Sequence, residues 1–192
     1  DLNDILFILT PAESKTKMDN LISKMRHFED HIDKDTLMVK MLPTLYHRYQ
    51  NRYNGYTIRR LCQEIHDFYK ARKVNVLQKR LFLKNYFPEY AMSPQEANHE
   101  LVRGHGELVD LEEAEGRVAL EGALPYPPGV ICIQPGERWS ETAQAYFEAL
   151  CGVYNEFPGF EPELQGVYME RAVDGKYHVY VHVLKKEYEQ SV

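Results

Sequence analysis

Ala123-Leu124-Pro125-Tyr126-Pro127-Pro128-Gly129-Val130 places an aromatic residue inside a proline frame. Three prolines fix φ and restrict the residues ahead of them, so the ring of Tyr126 has little entropy to lose. Such stiffness suits a side chain that must be presented at a fixed place. A tyrosine can face a cationic substrate through its ring and still offer a hydroxyl hydrogen bond. By residue type alone, a structural turn with Tyr126 as core filler is as good an account. Pro135-Gly136-Glu137 follows, and Glu137 is placed to salt-bridge or to favour the N-terminus of the next helix.

The other constellations are weaker. His27 and His31 stand at i, i+4 on a helix, a spacing that can put two imidazoles on one metal, but Phe28 occupies the position where a zincin has glutamate. No third ligand is suggested by spacing, and a solvated helix face is the expectation. His178 and His182 share a strand face roughly 13–14 Å apart at the usual strand rise, too far for one metal. Gly104-His105-Gly106 lacks the third glycine of a dinucleotide fingerprint, having Val109 there, and no strand is expected before it. Glu107, Asp110, Glu112, Glu113 and Glu115 form an acidic run of the kind that is usually a solvated face. No Gly-x-Ser-x-Gly nucleophile motif occurs.

Capping and periodicity supply the elements. Ile5 to Leu9 is a short apolar run of strand length, expected to be buried on both faces. Thr10-Pro11-Ala12-Glu13 has the grammar of a capping box opening a helix to about His31, with Leu21, Ile22, Met25 and Phe28 on its apolar side. A charged break at residues 31–35 is a candidate boundary. Met38 to Tyr46 predicts a helical patch around Pro43, and Asn54-Gly55 a turn. Thr57 is expected to cap a helix carrying Ile58, Leu61, Ile65 and Phe68. Further helices are expected over 76–86, from Ser93-Pro94-Gln95-Glu96 to about Arg103, and from Ser140 to about Glu156. Val130 to Ile133 has the composition of a buried strand. Val173-Asp174-Gly175-Lys176 signals a hairpin between 167–171 and 177–184. In its second strand Val179, Val181 and Val183 alternate with His178, Tyr180 and His182. The class is α+β with an α/β fragment at the front.

Composition sets the outer bounds. The 192 residues carry 23 Lys+Arg against 29 Asp+Glu, a net charge of −6, which argues against a general nucleic-acid binder. With 44% hydrophobic residues the chain can bury a sizeable core. No 18-residue apolar window exists, so no membrane span is expected. Cys62, Cys132 and Cys151 are widely spaced, as suits free thiols in a reducing cytoplasm. Because the chain starts at Asp1 and runs at once into an apolar stretch, it reads as a piece of something longer, and Ile5–Leu9 as its least native part.

Several segments resemble the C-terminal part of the bacterial ornithine/lysine/arginine decarboxylases, pyridoxal-phosphate enzymes of the aspartate-aminotransferase fold type. They are Glu115-Gly116-Arg117-Val118-Ala119, Leu124-Pro125-Tyr126-Pro127-Pro128-Gly129-Val130, Pro135-Gly136-Glu137, Phe157-Pro158-Gly159-Phe160 and Gln165-Gly166-Val167-Tyr168. Met41-Leu42-Pro43, Leu45-Tyr46 and Leu61-Cys62-Gln63-Glu64-Ile65-His66 also fit. Glu163 to Tyr168 and Gly122-Ala123-Leu124 look most like the ornithine branch, its inducible form above all. The resemblance implies a carboxy-lyase that converts ornithine to putrescine and CO₂, with pyridoxal 5'-phosphate as electron sink. It implies residues 1–36 as the end of the preceding small domain and residues 37–192 as the C-terminal domain. The family's Schiff-base lysine lies in a Ser-x-His-Lys setting, and no His-Lys pair occurs here, so the fragment is expected to be inactive alone. Tyr126 is the one site residue the resemblance carries over, as a shaper of the substrate-pocket mouth; no catalytic, cofactor-binding or metal residue is expected in this chain. A cytoplasmic homodimer or higher homo-oligomer is implied, acting on a small amino acid together with the rest of the parent chain. The lysine or arginine branch, and a non-catalytic oligomerisation or regulatory module, are the competing readings.

Overall fold

A computed structural model describes residues 7–126 and 129–189. The chain divides into two compact units, Asp1–Ala71 and Arg72–Val192.

The first unit is helical. Of the apolar run expected as a strand, Ile5 and Leu6 lie outside the described residues; Phe7, Ile8 and Leu9 belong to no strand and are exposed. Helix α1 spans Lys15–Asp33, and its N-cap is Ser14, whose side chain accepts from the Lys17 amide. The cap is therefore four residues later than the Thr10-Pro11 grammar predicts. Thr10 instead closes a turn, its carbonyl accepting from the Glu13 amide at 3.0 Å. Both stretches have acceptable capping residues, and local grammar does not choose between them. Around Pro43 the helical patch breaks into three short helices, α2 (Met38–Met41), α3 (Pro43–Arg48) and α4 (Gln50–Tyr53). Helix α5 (Ile58–Ala71) starts at Thr57, whose hydroxyl accepts from the Arg60 amide at 3.2 Å. Its apolar stripe buries Ile58, Leu61 and Phe68 with Met38 and Tyr53 also in the interior. Arg59 donates to the carbonyls of Ile32 and Asp33, satisfying the C-terminal end of α1. The charged stretch 31–35 covers the last residues of α1 and the two that follow it, inside this unit.

The second unit holds the sheets. Helix α6 (Val74–Leu81) starts two residues earlier and stops five residues short of the expected 76–86. Val74 and Leu81, seven residues apart, are its buried positions, and beyond them a 3-10 turn over Lys84–Tyr86 leads to Pro88. Helix α7 (Pro94–Val102) has the predicted capping box: Ser93 Oγ accepts from the Glu96 amide while the Glu96 carboxylate accepts from the Ser93 amide at 2.8 Å. The strands are β1 (Gly106–Asp110), β2 (Leu124–Tyr126), β3 (Glu163–Gln165), β4 (Tyr168–Arg171) and β5 (Tyr177–Leu184). They form an antiparallel sheet in the order β1-β5-β4 and an antiparallel pair β2-β3. The β4–β5 pair is the predicted hairpin. On β5, Val181 and Val183 are buried and His178 faces solvent, so the alternation sorts as read.

Between β2 and β3 runs α8 (Glu141–Glu156), capped by Ser140, which accepts from the Ala143 amide. Ala143, Phe147 and Leu150 are buried along it, and the single tryptophan, Trp139, packs edge-on to Phe147 just ahead of it. A last helix, α9, covers Lys186–Glu189. The α+β class of the second unit is thus the one expected. Val130–Ile133, however, is not a strand. Val130 and Ile131 are half exposed, and the amides of Cys132 and Ile133 both return to the Ala123 carbonyl, leaving one bridge where a ladder was expected. Apolar composition predicted the burial of Cys132 and Ile133 but not the turn-back. Cys132 and Cys151 are buried free thiols, and burial pushes them up to about 11 and about 12.

Candidate functional site

Tyr126 closes β2, opposite Glu163 of β3, with Leu124 opposite Gln165. Its side chain is half exposed. Proline does not donate to a ladder, so Pro125 can only sit at such an edge position. Pro127 and Pro128 lie outside the described residues; after them the Gly129 amide returns to the Pro125 carbonyl at 3.2 Å. That bond closes a turn between Pro125 and Gly129, and the Tyr126 ring is surface-accessible. That accessibility removes the core-filler account of Tyr126.

The platform beneath this turn is held by close backbone packing. Gly166, at φ +75°, lies so near Gly122 that an added Cβ would stand 2.0 Å from the Gly122 carbonyl oxygen. Immediately before Gly122, Glu121 Oε2 accepts from the Tyr168 hydroxyl at 2.6 Å and meets His182 Nδ1 at 2.5 Å. The hydrogen bond to Glu121 holds the Tyr168 hydroxyl in its protonated form and pushes it up to about 12. The Tyr168 and His182 rings meet edge to face at 5.1 Å. Sequence reading placed His182 on an exposed or partner-facing strand surface and gave neither Glu121 nor Tyr168 a site role, because their meeting depends on three segments far apart in the chain.

A second charged cluster was also missed. Arg117 is buried and donates to Glu107, Glu189 and the Leu184 carbonyl, at 2.7, 2.9 and 2.7 Å. Burial works to lower its pKa, but its bonds to Glu107 and Glu189 outweigh that and raise it. Glu107, one of the acidic run, is therefore a structural partner of Arg117 while its side chain stays 40% exposed. Arg138 Nη1 also approaches Glu189, at 3.7 Å. Tyr188 stacks on His105 at 3.8 Å, and Glu100, bound to His105, is held below the usual carboxylate range by that bond. Glu137 makes no ion pair among the described residues; its carboxylate accepts from the Gln134 amide at 2.8 Å, closing the turn at Pro135-Gly136.

The histidine pairs behave as solvated or structural groups. The rings of His27 and His31 lie 4.5 Å apart, and His31 Nδ1 pairs with the Thr36 hydroxyl. Among the described residues no group of three His, Cys, Asp or Glu side chains is placed to hold a metal ion. No helix among them is long and apolar enough to cross a membrane. The residues also do not fit covalent attachment of an aldehyde cofactor. Every described lysine is exposed except Lys185, which is half-buried and donates to the Gly104 carbonyl at 2.8 Å. A Schiff-base lysine needs an enclosed, desolvated pocket to depress its pKa.

The fold and site define an α+β module that presents an accessible aromatic ring, with a clamped carboxylate three residues ahead of the strand that carries it. Residues 75–185 match the family model for the Orn/Lys/Arg decarboxylase, C-terminal domain. The chain belongs to that family. It is 55% identical over 184 residues to an ornithine decarboxylase of Haemophilus influenzae, covering 96% of this chain and 26% of the relative. It is 54% identical over 174 residues to an inducible ornithine decarboxylase of a Lactobacillus species, covering 91% of this chain and 24% of the relative. The solved structure of lysine decarboxylase A from Pseudomonas aeruginosa superposes with a TM-score of 0.81 at 31% identity, covering 91% of this chain and 23% of that one. The chain thus spans about a quarter of the length of the relatives it matches.

Proposed function

We propose that this chain is the C-terminal part of a pyridoxal-phosphate-dependent ornithine decarboxylase, converting L-ornithine to putrescine and CO₂. The observation that carries the substrate is the gap in identity: 54–55% to two ornithine decarboxylases against 31% to a lysine decarboxylase. The parent enzyme works in the cytoplasm as a homo-oligomer, residues 1–36 closing its small domain and 37–192 forming the C-terminal domain. The cofactor is held by parts of the parent outside these residues, in keeping with the exposure of the lysines here, and the chain alone is inactive.

Within the parent, Tyr126 shapes the mouth of the substrate pocket. Its hydroxyl and ring face orient a cationic amino acid without exchanging protons with it. Replacing Tyr126 with Phe and with Ala in the full enzyme tests this. We expect Tyr126→Ala to lower kcat/KM for ornithine about tenfold or more, with Phe intermediate. Unchanged kcat/KM in both variants refutes the pocket role. Lysine or arginine turned over in preference to ornithine refutes the substrate assignment. Absorbance of an internal aldimine on adding pyridoxal phosphate to the 192-residue chain refutes its inactivity.

A further inference from the structure

We propose that Glu121, His182 and Tyr168 form a positioning clamp that fixes the β2 turn carrying Tyr126, and so set how tightly the parent enzyme holds its substrate. The inference rests on the pocket role proposed for Tyr126. Its basis is a convergence of three segments on one oxygen. Glu121 lies three residues before β2, Tyr168 opens β4 just after β3, and His182 belongs to β5. Tyr168 and His182 both bond Oε2 of Glu121.

The backbone is tied at the same place. The Leu120 amide donates to the His182 carbonyl at 3.0 Å, so residues 120–121 are latched to residue 182 by main chain and side chain together. Gly166 packs against Gly122 one residue further on. Both strands of the β2-β3 pair are therefore anchored to the β1-β5-β4 sheet at their inner ends, while Tyr126 is at the outer end. A carboxylate that accepts two bonds has fixed direction as well as attraction, which apolar packing lacks. The side chains of Glu121 and His182 are 30% and 28% exposed. Water can therefore replace a deleted partner, and removing one loosens the turn without leaving a buried unpaired charge.

The full enzyme is the test system, with steady-state kinetics on ornithine and amide hydrogen exchange over residues 122–126. Glu121→Ala and His182→Leu remove the clamp. His182→Asn keeps a donor near the place of Nδ1. We expect Glu121→Ala and His182→Leu to raise KM about threefold or more while kcat stays within about twofold. Exchange at 122–126 should quicken about tenfold in both. His182→Asn should restore both readouts toward the parent values. Unchanged exchange in Glu121→Ala, or an Asn variant as impaired as the Leu variant, overturns the clamp. Faster exchange with KM unmoved, in a protein where Tyr126→Ala is also silent, supports the clamp and overturns the pocket role. An enzyme that does not turn over ornithine overturns the substrate assignment and leaves the exchange measurement to decide the clamp.

Discussion

At the residue scale, Gly166 shows how a motif is dictated by space rather than by chemistry. Two costs attend a side chain there, and a second glycine separates them. Gly116 also has positive φ, +76°, but an added Cβ would meet nothing within 4 Å. Gly116→Ala should therefore pay only the left-handed backbone penalty, about 1–2 kcal/mol. Gly166→Ala pays that and must also displace the Gly122 backbone, so about 3 kcal/mol or more is expected. Chemical denaturation of both variants checks the difference; equal losses would mean that the close approach to Gly122 costs nothing. Tyr126 is the complementary case. Its proline frame was visible in the sequence because proline acts on its own neighbours, and the structure adds that the ring is accessible. Glu121, Tyr168 and His182 were not visible, since nothing local to any one of them points to the other two.

At the scale of elements, the capping boxes show where sequence grammar works. Ser93-x-x-Glu96 forms the box it spells, whereas Thr10-x-x-Glu13 makes a turn and Ser14 caps the helix. Both motifs are locally competent; only one is followed at once by residues that a neighbouring core requires, with Ala97 buried on α7 and no residue buried on α1. The lost strand at Val130–Ile133 has the same origin, because the pull of the Ala123 carbonyl on two amides is a long-range fact. The α7 box also makes a pH prediction. Bonds from the Ser93 hydroxyl and amide hold Glu96 below the usual carboxylate range. A lowered carboxylate stabilises the fold above its unfolded pKa, about 4.3, and that contribution is lost as pH falls through the folded value. Glu96→Gln should thus lower Tm at pH 7 and match the parent once pH is taken well below the folded pKa. Ser93→Ala removes in addition a bond to the Glu96 amide that does not titrate, so part of its deficit should persist in acid. Thermal melts at pH 7 and at low pH check both; a Glu96→Gln deficit of the same size in acid would exclude the ionised box as its cause.

At the scale of the molecule, the two units differ in what they bury. In the first, α1 has no buried residue, and the interior is drawn from α2, α4, α5 and the Asn54–Thr57 turn. In the second, one helix, α8, buries eight residues, and the sheet contributes Val181, Val183 and Leu184. Arg117 then ties β1, β5 and α9 through one guanidinium, so α9 is fastened to the interior. The family match, 75–185, falls inside this unit. A unit of roughly 120 residues can bury enough surface to fold alone, whereas one of about 70 residues is marginal. Residues 72–192 expressed alone should therefore unfold in one cooperative step, and residues 1–71 should not. Trp139 supplies the probe, being the single tryptophan, 1% exposed and edge-on to Phe147. Its emission in the 72–192 fragment should match that of the whole chain and shift to the red in a single denaturant transition. Arg117→Ala should lower the midpoint of that transition, because it leaves Glu189, whose side chain is 17% exposed, without its closest cation. Arg117→Lys should recover little, since an ammonium cannot bridge two carboxylates and a carbonyl as the guanidinium fork does. A red-shifted emission from the fragment before denaturant is added would show that the second unit needs the first in order to fold.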